Sequence, residues 1–540
     1  MFRLYDDELH NLILVSDRNF KEIIDYTSYY DFHPPLQYLL NKVSLQLFGL
    51  NEFWLSLPSI IFIIFSIILA GRLIFKMTGS AKFSLIVGVT LALNPLILLW
   101  GSSIRWYSLW TLLAVISIYL LIKLFFQVKK DQSFILKSSL MIILAISLYL
   151  NYQTIILIAS FIITALIFDL KDKKSKYFHL KLLTPVIAGV IILFIPYMGI
   201  FQNHLATFFL RKEIYSGYSS TSHVLSGAYF LFSIFFGNSI YPWDTKFIIL
   251  IFIASASGLG VLIYYKIYSY RLLKKKIRSF FPEEKKKIYY LVNVLTVTLI
   301  LFFLTQSVVS GSVQSRGLLI LPILLAIIIA IPFYYSISDY SRNKFYLVSF
   351  TLVPLILIWL IGSYNVIMKT SLHKAGLMDP VEEVTLLVQK TSSTSLKNFI
   401  IVTYDPILTY YLAESDLFER STIFSPYKNE IGRLLTSVNK SANRKDLHFN
   451  PKATLIFIES YPGTLIPLKV KIDKLKNYIF MEGAPIKGPI KLGYDPDALI
   501  KRRFFPSAEI IDWRYTIYSL HPKTNWDEKT LGEMNTVKDY

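Results

Sequence analysis

Ten apolar runs follow one another between residues 53 and 362, at 53–75, 83–100, 107–126, 134–150, 154–168, 182–200, 247–265, 288–309, 317–334 and 345–362. A hydrocarbon core roughly 30 Å thick is crossed by about 20 apolar residues in a helix, so a chain built of such runs is predicted to be a polytopic α-helical membrane protein. Composition agrees: 54% of the residues are hydrophobic and mean hydropathy is +0.49, against the roughly 45–50% apolar content of soluble domains. With no cysteine, disulfides, thiolate metal sites and thiol nucleophiles are excluded.

The net charge of +20, from 56 Lys and Arg against 36 Asp and Glu, would suit nucleic acid if it formed one patch. It falls instead in connectors between apolar runs: Lys76 with Lys82, Lys129 with Lys130, Lys171 to Lys176, the loop from Arg271 to Lys287, and Arg342 with Lys344. Cytoplasmic loops concentrate Lys and Arg, so all five belong on one side of the membrane. They do so if a further run, 224–243, broken by Gly227, Gly237 and Pro242, does not span. About ten spans then begin and end outside. Residues 1–52, the loop at Arg105, the Asn151-Tyr152-Gln153 turn, the loop 201–246, the loop at Arg316 and everything after Gly362 share the outer face.

Three regions result. Residues 1–52 form a first outer loop with an amphipathic interfacial helix, 53–365 the membrane domain, and 366–540 an extracytoplasmic α/β domain. The last reads as short apolar segments bounded by turn formers, such as NFIIVTYDP and ATLIFIESYPG, with helical stretches between. Nothing at the start resembles a signal peptide, because Arg3, Asp6, Asp7 and Glu8 interrupt it. An outer loop needs a helix to bring it across, so a helix upstream of Met1 is expected.

The polar residues of the outer face carry the chemistry. Asp7 and Glu8 are paired acids ahead of an amphipathic stretch; a carboxylate held at the mouth of a cavity can act as a general base toward a hydroxyl. Asp31-Phe32-His33-Pro34-Pro35 marks the start of a helix, because two prolines are tolerated at a helix start and not inside one. Arg105 and Arg316 each begin an apolar run, where a cation serves either as an anchor or as a partner of phosphate oxygens. Trp106 and Tyr107 suit the interfacial aromatic belt. The arm 154–168 is short for a span, which would recess Asn151 below the outer surface and open a cavity there.

Taken in order, the acid pair Asp7-Glu8, the D-x-H-P-P-L of Asp31 to Leu36, Leu57-Pro58, the R-x-Y of Arg105 and Tyr107 after Asn94-Pro95, and Arg316 ahead of Leu321-Pro322 resemble the GT-C glycosyltransferases. The similarity is to the dolichyl-phosphate-mannose protein mannosyltransferase and aminoarabinose transferase group, and covers most of residues 5–325. The resemblance implies inverting transfer of a sugar from a polyprenyl-phosphate donor to a lipid, glycan or protein acceptor on the outer face of the plasma (inner) membrane. It implies Asp7 as the catalytic base and Glu8 as its orienting partner. His33, Arg105, Tyr107, Asn151 and Arg316 become candidates for the donor phosphate and the cavity. Many bacterial members carry Gln-Glu ahead of R-x-Y where this chain has Ser102 and Ser103, so a divalent metal has no carboxylate at that place, and Gly317 follows Arg316 where Tyr is common.

Two other readings compete. A transporter or flippase of lipid-linked sugars would place ionisable residues near mid-span and repeat its halves; here they gather at span ends and no halves repeat. A scaffold displaying the C-terminal region would need no acid pair.

Overall fold

The computed structural model describes residues 6–30, 33–126, 133–171, 177–215, 283–309, 319–338 and 356–364, six strands between 399 and 522, and the single positions 249, 252, 367 and 410. The run 224–243 and Arg316 lie outside the described residues. The chain divides into two compact units, one of Phe20–Leu40 with Ser56–Val366 and one of Met1–Asn19, Asn41–Leu55 and Ile367–Tyr540.

In chain order the helices are α1 (Asp6–Ser16), α2 (Phe20–Tyr30), α3 (Leu36–Phe48), α4 (Glu52–Thr78), α5 (Ala81–Ala92), α6 (Pro95–Trp100), α7 (Tyr107–Phe126), α8 (Ser133–Leu150), α9 (Thr154–Lys171), α10 (Phe178–Phe194), α11 (Met198–Tyr215), α12 (Glu283–Val309) and α13 (Ile320–Ser338). Among the described residues, four helical segments are long and apolar enough to cross a membrane: Glu52–Thr78, Tyr107–Phe126, Ser133–Leu150 and Phe178–Thr207. Their outward faces carry large apolar side chains, among them Phe65, Ile68, Phe134 and Ile192. A surface of that kind is solvated by lipid, and the chain is a helical membrane protein. Shorter apolar helices cover Ala81–Ala92, Thr154–Leu170, Leu291–Thr305 and Ile320–Ile331.

Two runs differ from their sequence reading. The run 83–100 is two helices: α5 ends at Ala92, and Asn94 starts α6 by accepting the amides of Leu96 (3.0 Å) and Ile97 (3.2 Å) on Oδ1, with Pro95 in the first helical position. Proline has no amide to lose there and its fixed φ suits the first turn, whereas further into a helix it would break a bond. The carbonyl of Leu93 exposed by the break accepts a hydrogen bond from Ser363 Oγ. The run 182–200 extends the other way. After a 3-10 turn at Ile195–Tyr197, helix resumes as α11 through residues placed by sequence in a loop.

Within this unit α7 is the hub, packing against α8, α9, α10, α12 and α13. Its two sides carry apolar residues almost without interruption, so Trp110, Ala114, Ile118, Leu121 and Leu124 are all buried, as expected of a helix that is hydrophobic all round. Small hydroxyls allow close approach elsewhere: Thr298 Oγ1 on α12 donates to Ser160 Oγ on α9 (2.8 Å), and Ser84 Oγ on α5 donates to the Gly71 carbonyl on α4 (2.6 Å).

In the other unit, α1 is tied to the chain after Asn41 by Lys42 Nζ, which donates to the Ser16 carbonyl at the end of α1 (2.8 Å). Gly49, with φ +63°, takes the left-handed conformation that ends α3. The strands β1 (Phe399–Thr403), β2 (Ser421–Phe424), β3 (Thr454–Tyr461), β4 (Met481–Glu482), β5 (Pro485–Tyr494) and β6 (Asp512–Pro522) form one mixed sheet of order β2-β1-β3-β6-β4, with β5 also paired to β6. β1 pairs in parallel with β2 (Phe399 opposite Ser421) and with β3 (Phe399 opposite Thr454). β6 runs antiparallel to β3, with Ile458 opposite Ile517. Parallel neighbours require crossovers; the segments that would supply them lie outside the described residues.

Candidate functional site

Helix α3 begins at Leu36, directly after His33-Pro34-Pro35, and the Pro35 carbonyl accepts the Leu39 amide (3.1 Å). One turn beyond His33, buried Gln37 donates through Nε2 to the carbonyl of Ile104 (3.2 Å). A backbone carbonyl in a loop between helices has no ladder partner, and a buried amide side chain supplies one. This bond sets the segment after His33 against the residue preceding Arg105, across 67 positions of sequence.

The loop that carries Arg105 is held at both ends. Ser108 Oγ donates back to the Gly101 carbonyl (2.7 Å), and the Ser103 amide reaches the Trp100 carbonyl (3.1 Å). Tyr107 opens α7 and is buried; its ring meets Trp106 edge-on (centroids 4.6 Å apart) and Trp100 likewise (6.4 Å). Arg105 itself is half-buried. Two buried donors nearby in sequence, Trp106 Nε1 and Asn94 Nδ2, have no hydrogen-bond partner among the described residues. Tyr107 and Trp106, read as interfacial aromatics, are instead packed inside the unit.

One turn along α7, Trp110 Nε1 donates to Thr154 Oγ1 (3.0 Å), which donates to the Asn151 carbonyl (2.8 Å). Asn151 is buried, and its Oδ1 accepts the Gln153 amide (3.1 Å), the local turn that reverses the chain between α8 and α9. The same turn presents Tyr152, whose Oη lies 2.6 Å from Nδ1 of His204 on α11. His204 Nε2 lies 2.8 Å from the Thr27 carbonyl in the last turn of α2. A carbonyl only accepts, so Nε2 carries the proton; in the neutral ring Nδ1 then accepts from the tyrosine hydroxyl.

These bonds close a ring. From Thr27 the chain leads to His33 and Gln37, across to Ile104 and Arg105, along Trp106 to Trp110, over to Thr154 and Asn151, and back through Tyr152 and His204 to Thr27. Four of the sequence candidates, His33, Arg105, Tyr107 and Asn151, therefore lie on one connected frame. Asp7 and Glu8 belong to the other unit, in the first turn of α1, where acids also complement the helix dipole. Glu8 is 2% exposed, and the side chain of Asp7 lies outside the described residues. Among the described residues no group of three or more His, Asp or Glu side chains is placed to hold a metal ion.

Sequence reasoning passed over Gln37 and His204. Gln37 stands one turn after the His-Pro-Pro signal. His204 stands within α11, next to Leu205 and Ala206 and one turn after Phe201, in a segment that the sequence reading assigns to an outer loop. It directly follows the polar pair Gln202-Asn203 and its partners lie 52 and 177 positions away, so no local signal singles it out.

No protein-family model matches the chain, and no curated protein does so. Among solved structures it is similar to ArnT from Cupriavidus metallidurans bound to undecaprenyl phosphate, with 11% identity over 96% of this chain and 94% of that one and a TM-score of 0.45. The apo state of the same protein gives the same identity and coverage with a TM-score of 0.44. The oligosaccharyltransferase of Archaeoglobus fulgidus in complex with Zn and sulfate gives 11% identity over 95% of this chain and 84% of that one, with a TM-score of 0.38.

Proposed function

We propose that the chain is an integral membrane glycosyltransferase that transfers a sugar from a polyprenyl-phosphate donor, with inversion, to a lipid, glycan or protein acceptor. The observation that carries the reading is the Gln37–Ile104 hydrogen bond, which brings together the His-Pro-Pro-Leu and Arg-x-Tyr segments of the sequence resemblance. In this reading Asp7 takes the proton of the acceptor hydroxyl and Glu8 orients it. Arg105, His33 and Arg316 meet the phosphate that leaves, where cations stabilise developing negative charge most in a site shielded from water. Tyr107 and Asn151 shape the wall.

The same proposal places about ten spans in 53–365, the loop of residues 1–52 and an α/β domain of 366–540 on the extracytoplasmic face, and the whole in the plasma (inner) membrane. A reporter fused after Lys287 is expected in the cytoplasm and one after Lys374 outside; the opposite result at Lys287 overturns this topology.

The mechanism is tested by reconstituting the full chain with a panel of polyprenyl-phosphate sugars and measuring released polyprenyl phosphate. Asp7→Asn is expected to slow transfer by about 10²–10⁴-fold, the usual contribution of a general base, while Asp6→Asn leaves it near the parent rate. Undiminished transfer by Asp7→Asn would remove Asp7 from the mechanism. Movement of the lipid-linked sugar between leaflets without transfer would favour the transporter reading.

A further inference from the structure

The inner ends of α4 and α7, as the charge parity orients them, carry a cluster of cations that the glycosyltransferase reading does not use. Lys76, in the last turn of α4, donates through Nζ to Tyr119 Oη on α7 (2.8 Å). Its ammonium lies 4.8 Å from the centroid of the Tyr119 ring, and that of Lys123, one turn further along α7, lies 5.0 Å from it. Arg72 stands one turn before Lys76 on the same helix. Among the described residues no carboxylate forms an ion pair with any of the three.

Helix dipoles explain part of this, since a cation in the last turn of a helix is favourable. They do not explain Arg72 and Lys76 together. The two stand four residues apart on α4, an arrangement in which like charges repel. Both are exposed, and Arg72 continues the outward strip of Ile61, Phe65 and Ile68, of which Ile68 is 57% exposed. That strip faces lipid, so the next anion along it is a headgroup phosphate. Tyr119 holds both lysine ammoniums beside one ring without neutralising them. Because its oxygen accepts from Lys76, its own proton remains to donate to an anion's oxygen.

We infer that Arg72, Lys76, Lys123 and Tyr119 form a binding site for the phosphate of an anionic phospholipid at the inner membrane surface. Arg72 supplies a planar pair of donors, the two lysines supply point charges, and Tyr119 fixes the spacing between the helices. The site stands apart from the frame around Arg105 and does not depend on the proposed transfer reaction.

The test uses the full chain in nanodiscs of phosphatidylcholine containing graded fractions of phosphatidylglycerol, with retained lipids counted by native mass spectrometry. The parent is expected to keep phosphatidylglycerol at fractions where phosphatidylcholine is lost. Each of Arg72→Gln, Lys76→Gln and Lys123→Gln should weaken that preference by about fivefold, the effect of one basic residue at an anionic surface. Lys76→Arg with Lys123→Arg should restore it, which separates charge from folding. Lys137→Gln and Lys181→Gln remove cations elsewhere on the membrane unit and should leave retention unchanged. Equal retention by the triple Gln variant overturns the site, as does equal loss in the Lys137 or Lys181 variants or failure of the arginine pair to restore binding. Displacement of the lipid by excess inorganic phosphate would assign the site to a soluble anion and overturn the lipid assignment.

Discussion

Tyr152 Oη and His204 Nδ1 lie 2.6 Å apart, and the other nitrogen of the same imidazole is committed to the Thr27 carbonyl at 2.8 Å. A turn between two apolar helices is thereby connected through one buried histidine to the end of a helix 125 positions before it in the chain, counted from Thr27 to Tyr152. The imidazole is 1% exposed, so neither of its bonds can be exchanged for one to water at no cost. Tyr152→Phe removes the hydroxyl and leaves a buried acceptor. The expected loss is about 1–3 kcal/mol of stability, read as a lowered unfolding midpoint in detergent. Amide exchange should rise at the end of α2, because the carbonyl held by His204 belongs to its last turn. An unchanged α2 exchange rate in a destabilised Tyr152→Phe protein would show that the bond does not hold that helix end.

Gln37 offers a second test of the frame, at the contact that supports the proposed function. Gln37→Met keeps the volume and removes the donor to the Ile104 carbonyl, at an expected cost of about 0.5–1.5 kcal/mol, the net contribution of one hydrogen bond. If the bond positions the loop of Arg105, then Gln37→Met and Arg105→Gln should not add. A coupling of about 0.5–3 kcal/mol is expected in a double-mutant cycle on polyprenyl-phosphate affinity. Strict additivity would mean that the two segments touch without cooperating.

Gly101 is packed so closely that the loop has no room for one more carbon. A Cβ there would lie 2.4 Å from the Ile97 carbonyl oxygen and 3.3 Å from Ile63. The first is backbone, which cannot swing aside. Gly101→Ala is therefore expected to cost about 1–3 kcal/mol, the usual range for overpacking, by shifting either the end of α6 or the start of the Arg105 loop. Thermal unfolding measures the loss. Ser108→Ala, which removes only the hydroxyl that bonds the Gly101 carbonyl, should cost less than Gly101→Ala.

The membrane class of the fold was legible because lipid-facing helices must be apolar on their outside, and length follows from bilayer thickness. Helix ends were legible where local chemistry decides them, as at Pro34-Pro35 ahead of Leu36. The break at Asn94-Pro95 was visible in the sequence as a motif but not as an interruption of the run 83–100, since apolar content continues across it. Of the hydrogen-bonded frame, the segments of His33, Arg105, Tyr107 and Asn151 are ones the sequence singles out. Gln37, Trp110, Thr154 and His204 are not, because a buried polar side chain is recognised by its partner, and partners 44 to 177 positions apart carry no local signature. The burial of Trp106 and Tyr107 escaped for a related reason: aromatic residues at a span end suit both lipid headgroups and a protein core.

Asp169 joins the ends of α9 and α10. Its Oδ1 accepts from the His179 amide (3.0 Å) and from His179 Nδ1 (2.8 Å), and its Oδ2 accepts the Leu180 amide (2.9 Å). Helix α10 has no side-chain cap of its own, because Tyr177 stands in the capping position with φ +64° and makes no such bond. The carboxylate of the preceding helix serves instead, satisfying two of the amides that any helix start leaves open. The imidazole is enclosed by Phe125, Phe168 and Phe178, with ring centroids 4.9, 6.0 and 5.3 Å away. Hydrogen bonds to a charged acceptor contribute about 1.5–3 kcal/mol, so Asp169→Ala, which strips the carboxylate from the His179 and Leu180 amides, should cost at least about that much. Asp169→Asn keeps one acceptor and should fall between Asp169→Ala and the parent. His179→Phe tests the other half: it keeps the aromatic packing and both backbone bonds, so it should lose less than Asp169→Ala. Unfolding midpoints in that order, parent, His179→Phe, Asp169→Ala, are expected; a His179→Phe protein less stable than Asp169→Ala would show that the imidazole, and not the helix cap, is what the carboxylate serves.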